Sequence, residues 1–160
     1  MNEVVSPAVQ LDQKVPDFKV NATSEKDIKL SACKGFNVVL YFYPRDNTPG
    51  CTTQGQDFRD LYDQFKAKKT CVFGVSKDTL ASHEKFKAKY DFPFELISDS
   101  EGKLCELFDV IKNKNMYGRQ ITGIERSTFL IDAKGVLRHE WRKVKVSGHA
   151  QAVLDSIDSL

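Results

Sequence analysis

One cysteine, Cys51, stands just past a Thr-Pro-Gly turn in YPRDNTPGCTTQGQD, residues 43–57. A Cys-x-x-Cys there would point to dithiol–disulfide exchange, but Thr48 occupies the upstream position and no cysteine is nearby. Thr48 is a good N-cap and Pro49 a favoured first helical residue, so Cys51 is expected at the third position of a helix. The unsatisfied N–H groups and dipole of a helix entrance favour an anion, and so a thiolate over a thiol. The chemistry in view is nucleophilic attack by sulfur.

Ionisation alone accelerates such an attack only slightly. Taking a thiol pKa from ~8.5 to ~6 raises the thiolate fraction at pH 7 roughly thirtyfold. The same shift weakens the nucleophile about thirteenfold at a Brønsted slope of ~0.45, leaving a net gain of a few-fold. A large rate needs donors aimed at charge that develops in the transition state. Thr48 offers a hydroxyl locally; a fixed cation must arrive from elsewhere.

The elements that would position these groups are legible around them. FNVVLYFY, 36–43, is an apolar, β-rich run suited to a strand covered on both faces. Phe58, Leu61, Tyr62 and Phe65 fall on one helical face, and CVFGV, 71–75, is the next buried strand. Together they predict a parallel βαβ unit with Cys51 beyond the carboxyl end of its first strand, where α/β sheets place reactive groups. Asp78 or Thr79 can cap a second helix running to about Tyr90. Phe94–Ile97 is a short strand candidate, and Leu104, Leu107 and Phe108 mark a short helix. IKNKNMYGRQITGIE, 111–125, lacks a period and reads as a loop. STFLID (127–132) and VLRHEW (136–141) read as a hairpin, with Gly135 supplying positive φ. RKVKV, 142–146, has the alternation of an amphipathic strand with a solvated face. Ser147 can cap a last helix with Ala150, Val153, Leu154 and Ile157 as its apolar face. This order predicts one α/β domain over residues 1–160, thioredoxin-like, with a central mixed β-sheet flanked by helices.

Composition narrows the partners. The chain has 160 residues, enough to bury roughly 70% of its unfolded surface without disulfide or metal support. A net charge of +2 is too mild to argue for nucleic acid. No run approaches the ~20 apolar residues of a membrane span, and the start carries no secretory pattern. The wide, irregular spacing of Cys33, Cys51, Cys71 and Cys105 fits neither a disulfide scaffold nor a zinc site, so a reducing cytoplasm is expected.

Pro44-x-x-x-Thr48-x-x-Cys51 resembles the active-site signature of peroxiredoxins. The run YFYPRDNTPGCTTQ, 41–54, is most similar to the bacterioferritin comigratory protein subfamily, also called PrxQ. MYGRQITGIERSTFLIDAKG, 116–135, is similar to that subfamily's segment carrying its catalytic arginine. The resemblance runs from about Val15 to the C-terminus. It implies that Cys51 is the peroxidatic nucleophile and that Arg126 stabilises its thiolate and the peroxide oxygens. It further implies that Thr48 hydrogen-bonds the peroxide and that Pro44 shields the sulfur from water. Arg45 and Arg119 are near in sequence but do not match the arginine position. The implied substrates are hydrogen peroxide and organic hydroperoxides. No metal, haem or flavin is expected.

The sequence departs from the subfamily where the oxidised sulfur must be resolved. The position five residues after Cys51, which often carries a second cysteine, is Gln56, and SKDTLASHEKFKAKY, 76–90, contains none. Cys71 and Cys105 read as core residues. Cys33 precedes the central strand, ~25 Å from Cys51. A one-cysteine cycle is therefore expected, with thioredoxin, glutaredoxin or glutathione as external reductant, and with a monomer or weak dimer as the working state. Phe92, Pro93 and Phe94 could line an approach to the sulfur or simply pack. The alternatives in other classes are a thioredoxin-like thiol transferase and a non-enzymatic chaperone or interaction module.

Overall fold

The computed structural model describes residues 9–160. Its centre is strand β3, Asn37–Phe42, in which every residue after Asn37 is buried. β3 pairs in parallel with β4, Thr70–Ser76, and antiparallel with β8, Ser127–Ile131. β5, Leu96–Ser98, extends the sheet in parallel beyond β4; the short pair β1, Lys19–Ala22, and β2, Lys26–Lys29, closes that edge. β9, Leu137–Trp141, closes the other, giving the order β2-β1-β5-β4-β3-β8-β9.

Strand alternation sorts the core into two layers. Val38, Leu40 and Phe42 face one cluster with Phe73, Phe108 and Phe129. Val39, Tyr41 and Tyr43 face the other with Phe58, Phe65 and Leu130. The second layer is covered by α1, Pro49–Ala67, α2, Leu80–Tyr90, and α4, His149–Ser156. The first receives the short α3, Lys103–Leu107. Both faces of the central strand are dry, which is why its sequence shows no polar alternation.

Most boundaries follow the local signals. Thr79, not Asp78, caps α2, its hydroxyl accepting the Ser82 N–H at 3.1 Å. Gly135 has φ +87° in the turn before β9. Four expectations are corrected. Residues 111–125 are not a loop: β6, Ile111–Met116, and β7, Arg119–Ile124, form an antiparallel hairpin. Its turn residues Tyr117 and Gly118 take φ of +52° and +77°. Asn113, Asn115, Gln120 and Thr122 on one face and Arg119 and Ile121 on the other are exposed, so among the described residues of the hairpin's outer part no buried face imposes an alternating pattern. Thr122 donates to Asn113 and Gln120 to Asn115 across the strands instead.

Residues 142–146 are not a strand but the link from β9 to α4. Arg142 leaves the alternation by donating to the carbonyls of Phe108 and Asp109 while lying over the Phe129 ring. Ser147 does not cap α4; Gly148, at φ +74°, is the N-cap, and the helix starts at His149. The strand expected at Phe94–Ile97 is shifted to Leu96–Ser98. The β1–β2 pair escapes sequence reading because only Ala22 in it is buried.

Candidate functional site

Cys51 lies where the sequence places it. Thr48 is the N-cap with extended backbone (φ −90°, ψ 156°), Pro49 opens α1 and Cys51 is its third residue. The sulfur-bearing residue is only 2% exposed. Thr48 does not use its side chain to cap the helix. Its hydroxyl donates back to the Arg45 carbonyl at 3.0 Å, which leaves the oxygen lone pairs free to accept. The N-cap side chain makes no bond to the first-turn amides, which keep their pull on an anion.

The distant cation arrives through strand register. Phe42 at the end of β3 is paired with Ser127 at the start of β8, so Arg126 emerges beside the carboxyl end of β3. Its Nη2 lies 3.4 Å from Cys51 Sγ, and its Nη1 donates to Gln54 Oε1 at 2.6 Å. Gln54 is one helical turn beyond Cys51 and 1% exposed, so it anchors the guanidinium from below. A Cβ at Gly50 would sit 3.2 Å from Nη2, tighter than ordinary contact, so the bare backbone there eases the guanidinium's approach. Arg45 and Arg119 are exposed, and neither reaches the sulfur. Pro44 stands exposed at the bend leaving β3.

Sequence reasoning missed Gln54 and Gly50. The i, i+3 spacing of Cys51 and Gln54 was the available signal, but it has meaning only once a guanidinium is known to lie over that face.

Two further groups frame the site. Burial, reinforced by charge at Cys51, holds the Tyr41 hydroxyl well above the ordinary phenol range. Tyr41 Oη and Gln54 Nε2 are buried with no hydrogen-bond partner among the described residues. His149 is packed edge-on to Phe58 and Trp141, with Nε2 2.8 Å from Thr128 Oγ1. Its pKa is lowered to about 4, by burial first and by the Arg126 guanidinium second. The imidazole is therefore neutral near pH 7 and adds no second positive charge of its own beside Arg126.

The other three cysteines lie across the sheet. Cys51 belongs to the layer under α1, whereas Cys105 is in, and Cys33 and Cys71 pack against, the opposite layer. All four are free thiols. Burial pushes Cys33, Cys71 and Cys105 upward, Cys105 far above its ordinary value with Asp99 adding to the effect. Phe92 and Phe94 are buried and stacked on each other, so packing is their role here.

A sequence model described as the AhpC/TSA family matches residues 11–140. Peroxiredoxin Bcp of Bacillus subtilis is 47% identical over 152 residues, covering 95% of this chain and 97% of its own. Peroxiredoxin Bcp of Xanthomonas campestris is 49% identical over 141 residues, covering 88% of each. A crystal structure of a Xylella fastidiosa PrxQ mutant superposes with a TM-score of 0.90 at 40% identity, over 96% of this chain and 98% of that one. A guanidinium-faced cysteine at a helix entrance is thus carried on a scaffold shared almost end to end with these proteins, and the chain belongs to the AhpC/TSA family, among its Bcp/PrxQ peroxiredoxins.

Proposed function

We propose that this protein is a thiol peroxidase whose nucleophile is Cys51. The observation that carries the reading is the Arg126 guanidinium 3.4 Å from Sγ, held by a buried Gln54. The thiolate attacks the terminal oxygen of hydrogen peroxide or an organic hydroperoxide. An S–O bond forms as the O–O bond breaks, Cys51 becomes a sulfenic acid, and the departing hydroxide or alkoxide takes a proton to leave as water or alcohol. Arg126 stabilises the thiolate and then the negative charge spreading along the O–O axis. The Thr48 oxygen accepts the peroxide hydrogen, and Pro44 shields the sulfur from water. The bacterioferritin comigratory protein of Xanthomonas campestris, 47% identical in sequence, has an alkyl peroxide reduction activity, which supports organic hydroperoxides as substrates.

The cycle is a one-cysteine type. The sheet stands between Cys51 and the three other sulfurs, so an outside thiol attacks the sulfenic sulfur, releases water and forms a mixed disulfide. A second thiol then restores Cys51 and carries away the disulfide. Thioredoxin, glutaredoxin or glutathione fit as the reductant, and these steps need no bound cofactor. Free cysteines suit a reducing, cytoplasmic setting, and among the described residues no helix is long and apolar enough to cross a membrane. A monomer suffices, because every proposed group comes from one chain.

Stopped-flow measurement of peroxide loss tests this. Cys51→Ser should abolish it, and Arg126→Ala should slow sulfenic acid formation by about 10²–10³. Activity surviving Cys51→Ser removes the proposal, and exchange with small disulfides but not with peroxides would assign a transferase instead.

A further inference from the structure

Asp46 is buried although it sits in the turn between β3 and α1. Its carboxylate gathers three donors from around the turn. Tyr43 donates its hydroxyl to Oδ1 at 2.7 Å, Ser82 donates to Oδ2 at 2.8 Å, and His83 Nδ1 meets Oδ2 at 2.7 Å. The Asp46 N–H in turn donates to Asp78 Oδ2 at 2.9 Å, which also receives the Ser76 hydroxyl. The end of β4 and the start of α2 therefore grip the turn that precedes Cys51.

His83 is fully buried, and its other nitrogen, Nε2, lies 2.9 Å from the Ile97 carbonyl. A carbonyl only accepts, so Nε2 carries a hydrogen. The 2.7 Å contact of Nδ1 with Asp46 Oδ2 closes the other side of the ring. The ring is thus pinned at both ends and faces only one way. The oxygens and nitrogen of Asp46, Asp78 and His83 lie within 4.8 Å of one another, the spacing of a metal cluster. They are, however, engaged by hydroxyl, amide and carbonyl groups of the protein, which makes the cluster a hydrogen-bond hub.

The hub bears on the sulfur through the chain that follows it. Asn47, the next residue, takes φ +61°, and then comes Thr48, whose hydroxyl is oriented by the Arg45 carbonyl. Asp46 thus lies between the two ends of the hydrogen bond that aims the Thr48 oxygen. We propose that His83, acting through Asp46, is a positioning residue for the Cys51 site, fixing the turn that presents the Thr48 oxygen to a peroxide at Sγ. This inference rests on the peroxidase reading.

Two substitutions at one position separate positioning from bulk stability. His83→Asn keeps a donor where Nδ1 was, toward Asp46, and gives up the Ile97 contact; His83→Gln does the reverse. In His83→Gln, sulfenic acid formation should fall about tenfold, and the Thr48 amide and methyl resonances should move. In His83→Asn, the rate should recover to within about threefold of the unsubstituted protein, with Thr48 resonances near their original places. Alkylation of Cys51 by iodoacetamide, which needs no Thr48 hydroxyl, should differ little between the two. If His83→Gln does not fold, Asp46→Asn reads the same signals and should show the same loss. Equal slowing in both His83 variants, in step with their urea midpoints, overturns the proposal, as do unmoved Thr48 resonances in His83→Gln. An unsubstituted protein that consumes no peroxide instead removes the peroxidase reading, and the Thr48 resonances still decide the positioning role.

Discussion

The guanidinium at Cys51 is held rather than merely present. Arg126 shares its two terminal nitrogens between the sulfur and Gln54 Oε1, and the planar fork fixes both contacts at once. Gln54→Leu keeps the volume but removes the acceptor. We expect sulfenic acid formation to slow about tenfold through lost orientation, with the fold retained, as read by stopped-flow and circular dichroism. Gly50→Ala works from the other side, since its Cβ at 3.2 Å from Nη2 pushes the fork off the sulfur, and it should give a smaller loss in the same assay. At this scale much is legible in the sequence: Pro49 and Thr48 place Cys51 at the third helical position, and the resemblance points to Arg126, whose guanidinium lies 3.4 Å from the sulfur. The partners of Arg126 were not legible, because a glutamine on a helix face signals nothing until the opposing side chain is placed.

Among the elements, β3 and α1 were readable because dense apolar runs and strong terminal signals agree there. The β6–β7 hairpin was hidden for the opposite reason, as both of its faces meet solvent and nothing forces its residues to alternate. The β1–β2 edge was missed on similar grounds. Packing is close where α1 meets the segment after α2. A Cβ at Gly55 would fall 2.4 Å from the Phe92 ring, which lies among stacked and edge-on aromatics of the same layer. Gly55→Ala should therefore destabilise the protein by about 1–3 kcal/mol in urea unfolding, although alanine is the better helix former. Replacing Cys33, Cys71 and Cys105 together with alanine should leave single-turnover peroxide reduction intact, as followed by stopped-flow. Mass spectra of the oxidised, unsubstituted protein should show no internal disulfide through Cys51.

For the molecule as a whole, His149 ties acid stability to the site. Its pKa is about 4 in the folded protein against an ordinary 6.5, so the unfolded chain binds the proton more readily. The stabilising contribution is complete above about pH 6.5 and is lost progressively as pH falls toward 4. A melting series from pH 7.5 to 4.5 should show this decline, and His149→Gln should flatten it. The separation of the sulfurs by the sheet has a consequence beyond catalysis. On the proposed chemistry the molecule has no internal store for an oxidising equivalent, and each one must leave through another protein or a small thiol. Its throughput then follows the surrounding thiol pool. When that pool runs low, a second peroxide drives Cys51 on to the sulfinic acid and retires the molecule, so its own modification becomes a record of thiol shortage.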